Sequence, residues 1–308
     1  MTIECDRPEA RPLPPLIAAG KSLDSSPRRL GRLTPSSPAE TTDVLRRRLK
    51  EQGYLWLKGL LDRDNVLDFR AYVFGHVMDT GAVRPGSDPR IGYGSGQPED
   101  RNLVNKAIME LVRSVTYEGF CAQPRLSRFM DEFLGGIAYL HKRKLLRHTQ
   151  PHTPQVTPAH YDLVYLRGGT DRIVTAWIPI GDCPVEMGGL VYLEGSHAEG
   201  VKLEAAFREK SLELSAEDRI NAYNAHMAEG GWISKDLPEM ANRFDARWLA
   251  GDYEAGDVIL HSPYMIHAST TNEDAKGRIR LSTDIRYENV RDEIDPRWAN
   301  HWSLDDML

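Results

Sequence analysis

His160-Tyr161-Asp162 places two groups that can ligate a metal two residues apart, and a third, His267, follows 105 residues after Asp162, with Arg278 eleven further on. Two imidazoles and one carboxylate on one face of a metal, with the opposite positions open to reactants, form the ligand set of non-haem iron oxygenases. Side chains alternate faces along a strand, so residues 160 and 162 would share one face and Tyr161 would take the other. Residues 157–166 are rich in β-branched, aromatic and aliphatic side chains and stop at Gly168-Gly169, which reads as a strand ending in a turn. A His-x-Asp alone is weak evidence, because any exposed strand can carry polar residues at i and i+2.

The second segment strengthens it. Gly256-Asp257 signals a turn, residues 258–261 read as a strand, Ser262-Pro263 breaks it, and an apolar run over 264–267 ends on His267. Arg278, Arg280 and Ser282 then alternate with Ile279 and Leu281 in a further strand over 278–287, so at least one arginine is expected to face inward. A buried arginine needs an anion, and its planar fork suits a carboxylate; a dicarboxylate cosubstrate would supply one. Arg280 shares the face of Arg278 and stays open for that role.

Rival ligands are weaker. His197-Ala198-Glu199 is also His-x-carboxylate, but it follows Gly195 and precedes Gly200 and reads as surface loop. His261 would share the face of His267 in an unbroken strand, yet Pro263 interrupts the register. His76, His141, His148, His152, His226 and His301 lack a carboxylate two residues on and read as solvated or packed side chains.

The set His160-Tyr161-Asp162, Thr175-Ala176-Trp177-Ile178-Pro179-Ile180, Gly188-Gly189-Leu190 leading to Glu194-Gly195-Ser196-His197, Gly256 to His267, and Asn272 to Arg278 resembles the phytanoyl-CoA dioxygenase family over roughly residues 41–290. Glu194 stands where the family usually has proline, which touches only a loop. The resemblance implies a mainly β fold with flanking helices around a double-stranded β-helix, the jelly roll of cupins. It also implies Fe(II), 2-oxoglutarate as cosubstrate, O2, and release of succinate and CO2. It would make His160, Asp162 and His267 the iron ligands and Arg278 the partner of the cosubstrate's distal carboxylate, with Ser269 and Trp177 as neighbours. Halogenases of related fold lack the carboxylate ligand; Asp162 therefore argues for hydroxylation, desaturation or ring closure. A cupin-type metalloenzyme without 2-oxoglutarate and a non-catalytic binding module remain the alternatives.

Composition fits a small-molecule catalyst. The 308 residues suffice for one large domain, and a net charge of -6 with only short basic runs gives no footprint for nucleic acid. Three cysteines, at 5, 121 and 183, without Cys-x-x-Cys spacing fit a reducing, cytoplasmic setting. The apolar run at 16–19 is too short for a signal peptide or a membrane span, so no membrane partner is expected. Oligomeric state is not legible.

Residues 1–40 hold seven prolines and many serines and read as a disordered or loosely packed leader outside the core. One oxygenase domain is expected over 41–308. Its opening spans 41–136, with a helix over 42–52 capped by Thr42, a strand over 54–57, a helix from Asp62, and helices near 102–116 and 124–134. The β-helix core spans about 137–290, and a tail follows over 291–308. Residues 198–250 read as an insertion or lid, in which Ser215 and Asp218 have capping-box spacing and Gly230-Gly231-Trp232 and Arg247-Trp248 carry aromatics. The basic run 141–148 reads as a solvated outer face, at least at Arg143.

Overall fold

The computed structural model describes residues 12–154, 156–211, 215, 218 and 231–303. Four short strands come first, β1 (Ile17–Ala18), β2 (Lys21–Ser22), β3 (Leu30–Arg32) and β4 (Pro35–Ser36). Helix α1 (Thr42–Gln52), strand β5 (Tyr54–Leu57) and helices α2 (Arg63–His76), α3 (Arg101–Leu111), α4 (Val115–Cys121) and α5 (Pro124–Leu134) follow. The remainder runs β6 (Ala138–Leu140), β7 (Leu145–Thr149), α6 (Leu163–Leu166), β8 (Val174–Pro179), β9 (Leu190–Leu193), α7 (His197–Ser211), α8 (Leu237–Arg243), β10 (Trp248–Ala250), β11 (Val258–His261), β12 (His267–Ser269) and β13 (Arg280–Asn289).

Two sheets face each other. The larger has the order β4-β5-β11-β8-β13-β6, with β7 also pairing β13, and the smaller has the order β12-β9-β10-β3. Strands that cross between sheets in this way are the signature of a double-stranded β-helix. Each strand divides its side chains by the two-residue period. On β5, β8 and β11, Leu55, Leu57, Ala176, Ile178, Val258 and Leu260 pack outward under helices α2 to α5, while Tyr54, Trp56, Trp177 and Ile259 fill the space between the sheets. On β9 and β10, Leu190, Tyr192 and Leu249 face the same space, and Val191, Leu193, Trp248 and Ala250 join a third cluster behind the smaller sheet. Strand β13 follows this rule with polar residues: Leu281, Ile285 and Tyr287 pack outward, which leaves Arg280, Ser282, Asp284 and Arg286 in one buried inward row.

Several expectations hold. α1 ends at Gly53, which is left-handed at φ 78° with its N–H bonded to Leu49, and α2 is capped by Asp62, whose side chain accepts from Asn65 N. Others are corrected. Of the proposed leader, residues 1–11 lie outside the described residues, but residues 12–40 are part of the fold. β3 pairs with β10, β4 pairs with β5, and Leu16, Leu23, Leu30 and Leu33 are buried. Proline spacing hid this, because each strand is only two or three residues long and draws its stability from the sheet it edges. Residues 163–166 are helical instead of continuing a strand, and His197-Ala198-Glu199 opens α7 instead of lying in a loop. Arg143 and Lys144 are buried, not solvated. Most of the expected helix after Ser215 lies outside the described residues, although the cap itself is formed, with Asp218 N donating to Ser215 Oγ at 3.1 Å. Among the described residues no helix is long and apolar enough to cross a membrane.

Two features hold the site's frame. Helix α7 is tied to α6 through a buried cluster: Arg167 Nη2 lies 2.8 Å from Glu204 Oε2, Tyr161 OH donates to the same oxygen at 3.1 Å, and the guanidinium stacks 3.6 Å over Phe207. Before β9, Gly188 at φ 73° lies so close to the segment after β12 that a Cβ would meet Thr270 O at 2.4 Å.

Removing the acid of that cluster strands a buried guanidinium. Glu204→Leu is expected to cost about 3 kcal/mol, read as a fall of about 5 °C in Tm by calorimetry; a shift within about 1 °C would show that the cluster carries no such strain. Gly188→Ala combines left-handed backbone with a backbone clash and is expected to cost about 2 kcal/mol in denaturant unfolding, whereas Gly59→Ala, equally left-handed but in open space, should cost about half as much.

Candidate active site

His160 and His267, far apart in sequence, are brought together by the backbone. His160 N donates to His267 O at 3.1 Å and His267 N donates to His160 O at 2.9 Å, an antiparallel bridge that sets the two side chains side by side. Their ring centroids are 4.3 Å apart. Each ring is oriented from behind: His160 Nδ1 donates to Pro158 O at 2.8 Å and His267 Nδ1 to Met265 O at 2.9 Å. This fixes the tautomer in which Nε2 carries a lone pair, as metal-ligating imidazoles require.

Asp162 arrives by a route the strand reading missed. The chain leaves the bridge at Tyr161 and turns into α6, of which Asp162 is the N-terminal flank. The carboxylate is 1% exposed and asymmetric. Its Oδ2 accepts from Thr175 Oγ1, from His261 Nε2 at 3.2 Å and from Arg286 Nη2 at 3.3 Å. Its Oδ1 has no hydrogen-bond partner, and it lies 3.5 Å from His160 Nε2 and 3.8 Å from His267 Nε2. The three ligand atoms lie within 4.8 Å of one another, the one such cluster of three or more metal-binding groups among the described residues. Bonds of about 2.1 Å at right angles put donor atoms about 3 Å apart, so a small contraction would close this set on a metal.

The charge states suit a cation. Burial opposes ionisation of Asp162, but the Arg286 guanidinium, together with the imidazoles that face the carboxylate, outweighs it and holds the carboxyl well below its usual range. Burial, with His160 and His261 nearby, holds His267 well below the ordinary imidazole value, which keeps it neutral. His261 is no competing ligand in this arrangement. Its Nδ1 is 3.0 Å from Tyr192 OH, so both ring nitrogens are occupied in bracing Asp162 from behind.

Two neighbouring cavities share Arg147, Val156 and Thr157. One, of about 320 Å³, opens onto His160 and Asp162 and is walled by Arg143, Tyr165, Trp232, Arg286 and Trp298. The other, of about 270 Å³, is lined by Ser269 and Arg280. A larger concavity of about 580 Å³, around Arg84, Glu99 and Gln150, reaches none of the triad.

Of the residues expected to meet a cosubstrate, Ser269 is buried at the second cavity, where its Oγ accepts from Thr157 N at 2.8 Å. Trp177 lies one inward position below Thr175, packed against Tyr253 with ring centroids 4.9 Å apart, and lines neither cavity. Arg278 is not brought to the triad. It precedes β13, and its Nε and Nη2 are taken by Asp274 at 3.0 and 2.6 Å on a different concavity, beside Arg63 and Lys276. The inward arginine is Arg280, 4% exposed, bonded to Thr149 Oγ1 at 2.7 Å and Ser282 Oγ at 3.2 Å, with no carboxylate partner and Nε unpaired. Burial lowers its pKa, the mark of a guanidinium lacking an anion. Sequence reading left Thr175 and Arg286 unassigned. Strand alternation placed each on the right face, but nothing local says that they converge on Asp162.

Comparison with known proteins agrees with this geometry. The 1-deoxypentalenic acid 11-beta-hydroxylases of Streptomyces arenae and Streptomyces exfoliatus are 24% and 23% identical over 254 and 252 residues, in each case 80% of this chain and 81% of the relative. Two solved structures share the fold. The non-heme alpha ketoglutarate dependent epimerase SnoN from nogalamycin biosynthesis has a TM-score of 0.52 at 18% identity, covering 83% of this chain and 85% of its own. EctD from S. alaskensis with bound Fe has a TM-score of 0.53 at 15% identity, covering 92% and 93%. The family model for Phytanoyl-CoA dioxygenase (PhyH) matches residues 49–280, well over half of the sequence, and the chain belongs to this family of Fe(II)- and 2-oxoglutarate-dependent oxygenases.

Proposed function

We propose that His160, Asp162 and His267 hold Fe(II), that Arg280 with Ser269 receives the distal carboxylate of 2-oxoglutarate, and that the chain hydroxylates an unactivated C–H bond of a small molecule, releasing succinate and CO2. The carrying observation is the unpartnered, buried Asp162 Oδ1 facing two Nε2 atoms. Leaving such an acceptor unsatisfied costs about 1–3 kcal/mol, a cost that a cation removes. The cosubstrate assignment rests on Arg280, a buried guanidinium without an anion, which lines one cavity with Ser269; that cavity shares Arg147, Val156 and Thr157 with the one over His160 and Asp162. Trp177, proposed earlier as a cosubstrate neighbour on resemblance, supports the site from beneath.

When bound, iron with O2 and 2-oxoglutarate supplies the oxidising power for C–H cleavage, by a decarboxylation that yields succinate and CO2. The protein's own groups orient and exclude. The two backbone-bonded imidazoles and the braced carboxylate fix three positions and leave the remainder to reactants. Tyr165, pushed up to about 12 by burial and by Asp162, stays a neutral phenol beside the ligands. Trp232 and Trp298 shield the cavity from water. Hydroxylation is favoured by the two relatives, which are named hydroxylases. The working unit is a single oxygenase domain that residues 12–40 join as strands. A reducing, cytoplasmic setting is supported by Cys121 and Cys183, both buried free thiols raised to about 12 by burial.

Anaerobic titration with Fe(II) and 2-oxoglutarate should develop the weak visible charge-transfer band of the chelated cosubstrate. Asp162→Ala should abolish that band and weaken Fe(II) binding at least about tenfold, whereas Glu199→Ala, an exposed partner of Lys202, should leave both unchanged. Equal loss in the two variants would sink the ligand assignment. Arg280→Ala should raise the 2-oxoglutarate concentration needed for the band by more than about tenfold, the scale of a lost charged hydrogen-bond pair. Arg278→Ala should change it by less than about threefold, because its charge is already met by Asp274. The opposite ranking would return the anchor to Arg278.

A further inference from the structure

One row of oxidisable rings leads away from the metal ligands. The Tyr192 ring lies 5.8 Å from that of the ligand His267 and 5.5 Å from that of His261, centroid to centroid. Tyr54 stacks on Tyr192 at 5.7 Å, with 21° between the planes. The register of the two sheets fixes this row: Tyr192 of β9 is the cross-strand partner of His267 on β12, and Tyr54 of β5 is that of His261 on β11. Both tyrosines are buried, yet the Tyr54 hydroxyl accepts at 3.1 Å from the backbone N–H of Thr34, an exposed residue just before β4. The row therefore starts at a ligand and ends close to solvent.

Hydrogen bonding at Tyr192 suits it to the loss of an electron. An ionised carboxylate only accepts, so His261 Nε2 carries the hydrogen that it donates to Asp162 Oδ2, and His261 Nδ1 is left to accept from the Tyr192 hydroxyl at 3.0 Å. A phenol that keeps its proton is hard to oxidise, whereas a basic nitrogen already bonded to that proton lets proton and electron leave together. The imidazolium so formed would face the Asp162 carboxylate at 3.2 Å. Electron transfer weakens steeply with distance, so rings in contact pass charge in short steps where a single long step fails.

We propose that Tyr192 and Tyr54 form a redox relay that discharges the metal centre when it is oxidised with no substrate to attack. The inference rests on the metal centre proposed above, because iron, O2 and 2-oxoglutarate supply the oxidant. Tyr192 gives one electron to the iron site and its phenolic proton to His261 Nδ1. Tyr54 then returns an electron to Tyr192, which recovers its proton from His261, and Tyr54 releases its own proton to solvent. A one-electron reductant of the ascorbate class restores Tyr54. Two passes deliver two electrons; with two protons from solvent, the O2 oxygen that succinate does not take leaves as water, iron returns to Fe(II), and ascorbate becomes dehydroascorbate.

The Fe(II)- and 2-oxoglutarate-loaded protein, exposed to O2 without substrate, should develop a tyrosyl radical in freeze-quench electron paramagnetic resonance, with a signal that narrows when ring-deuterated tyrosine is incorporated. Tyr192→Phe should lose this signal. Tyr54→Phe removes only a hydroxyl bonded to Thr34 N; it should leave the charge-transfer band as it is, hold the radical on Tyr192 for longer, and cancel the gain in succinate per protein that ascorbate gives the wild type. Tyr54→Trp, still oxidisable, should restore that gain. Absence of a radical in the wild type, whether or not succinate is made, would overturn the proposal without recourse to any variant. A radical that survives Tyr192→Phe belongs to another ring, such as Tyr165 beside His160, and sinks the relay. So does an ascorbate gain that Tyr54→Phe leaves undiminished, since ascorbate then reaches the iron directly, or one that Tyr54→Phe and Tyr54→Trp both abolish, which traces the loss to packing. A protein that never develops the charge-transfer band refutes instead the metal centre on which the relay depends.

Discussion

The structure turns on one buried carboxylate with two unlike oxygens. Asp162 Oδ2 is held by Thr175 from β8, His261 from β11 and Arg286 from β13, three adjacent strands of the larger sheet, while Oδ1 is turned toward two imidazoles and has no partner. Ionising a carboxylate in this interior is unfavourable by itself, and the arginine and the neighbouring imidazoles reverse the balance. The larger sheet thus braces the acid, and β12 of the smaller sheet delivers His267 opposite. The ligand set exists only where the two sheets face each other.

The barrel makes this possible by treating its inner face in two ways. Toward one side the inward positions are aromatic and aliphatic, with Tyr54, Trp56, Trp177, Leu190, Tyr192 and Ile259 packed together. Other inward positions are polar: Thr175 of β8, His261 of β11, Ser269 of β12 and the β13 row from Arg280 to Arg286, all buried. A packed half supports a polar half whose hydrogen bonds are mostly satisfied. The exceptions, Asp162 Oδ1, Arg280 Nε, and Nε and Nη1 of Arg286, are buried polar atoms to which a bound group would supply the missing partner.

Much of this was written in local sequence. Gly53 and Asp62 fixed helix boundaries, the two-residue period marked strands 54–57, 258–261 and the inward arginines, and His160, Asp162 and His267 were legible as ligand types with the family's order. Local rules failed where stability is borrowed from distant partners. Strands β3 and β4 are too short and proline-rich to signal themselves, and exist because β10 and β5 offer them edges. The stretch after His160 has strand composition, yet α6 forms there, tied through Arg167 to Glu204 of α7.

The sequence by itself determined the chemistry available: which residue types could ligate a metal, that two arginines shared one strand face, and which family the motifs follow. Only the tertiary structure decided between equivalents. Arg278 and Arg280 have the same periodicity, and Asp274 occupies one while burial leaves the other without an anion. His261 ends β11 and His267 opens β12, and hydrogen bonds to Tyr192 and Asp162 make the first a brace, whereas the ring of the second is bonded only through Nδ1, to Met265 O, which leaves its Nε2 free. Periodicity specifies the face on which a side chain lies; which partners share that face is set by contacts between residues far apart in the chain, and these exist only once the sheets have closed.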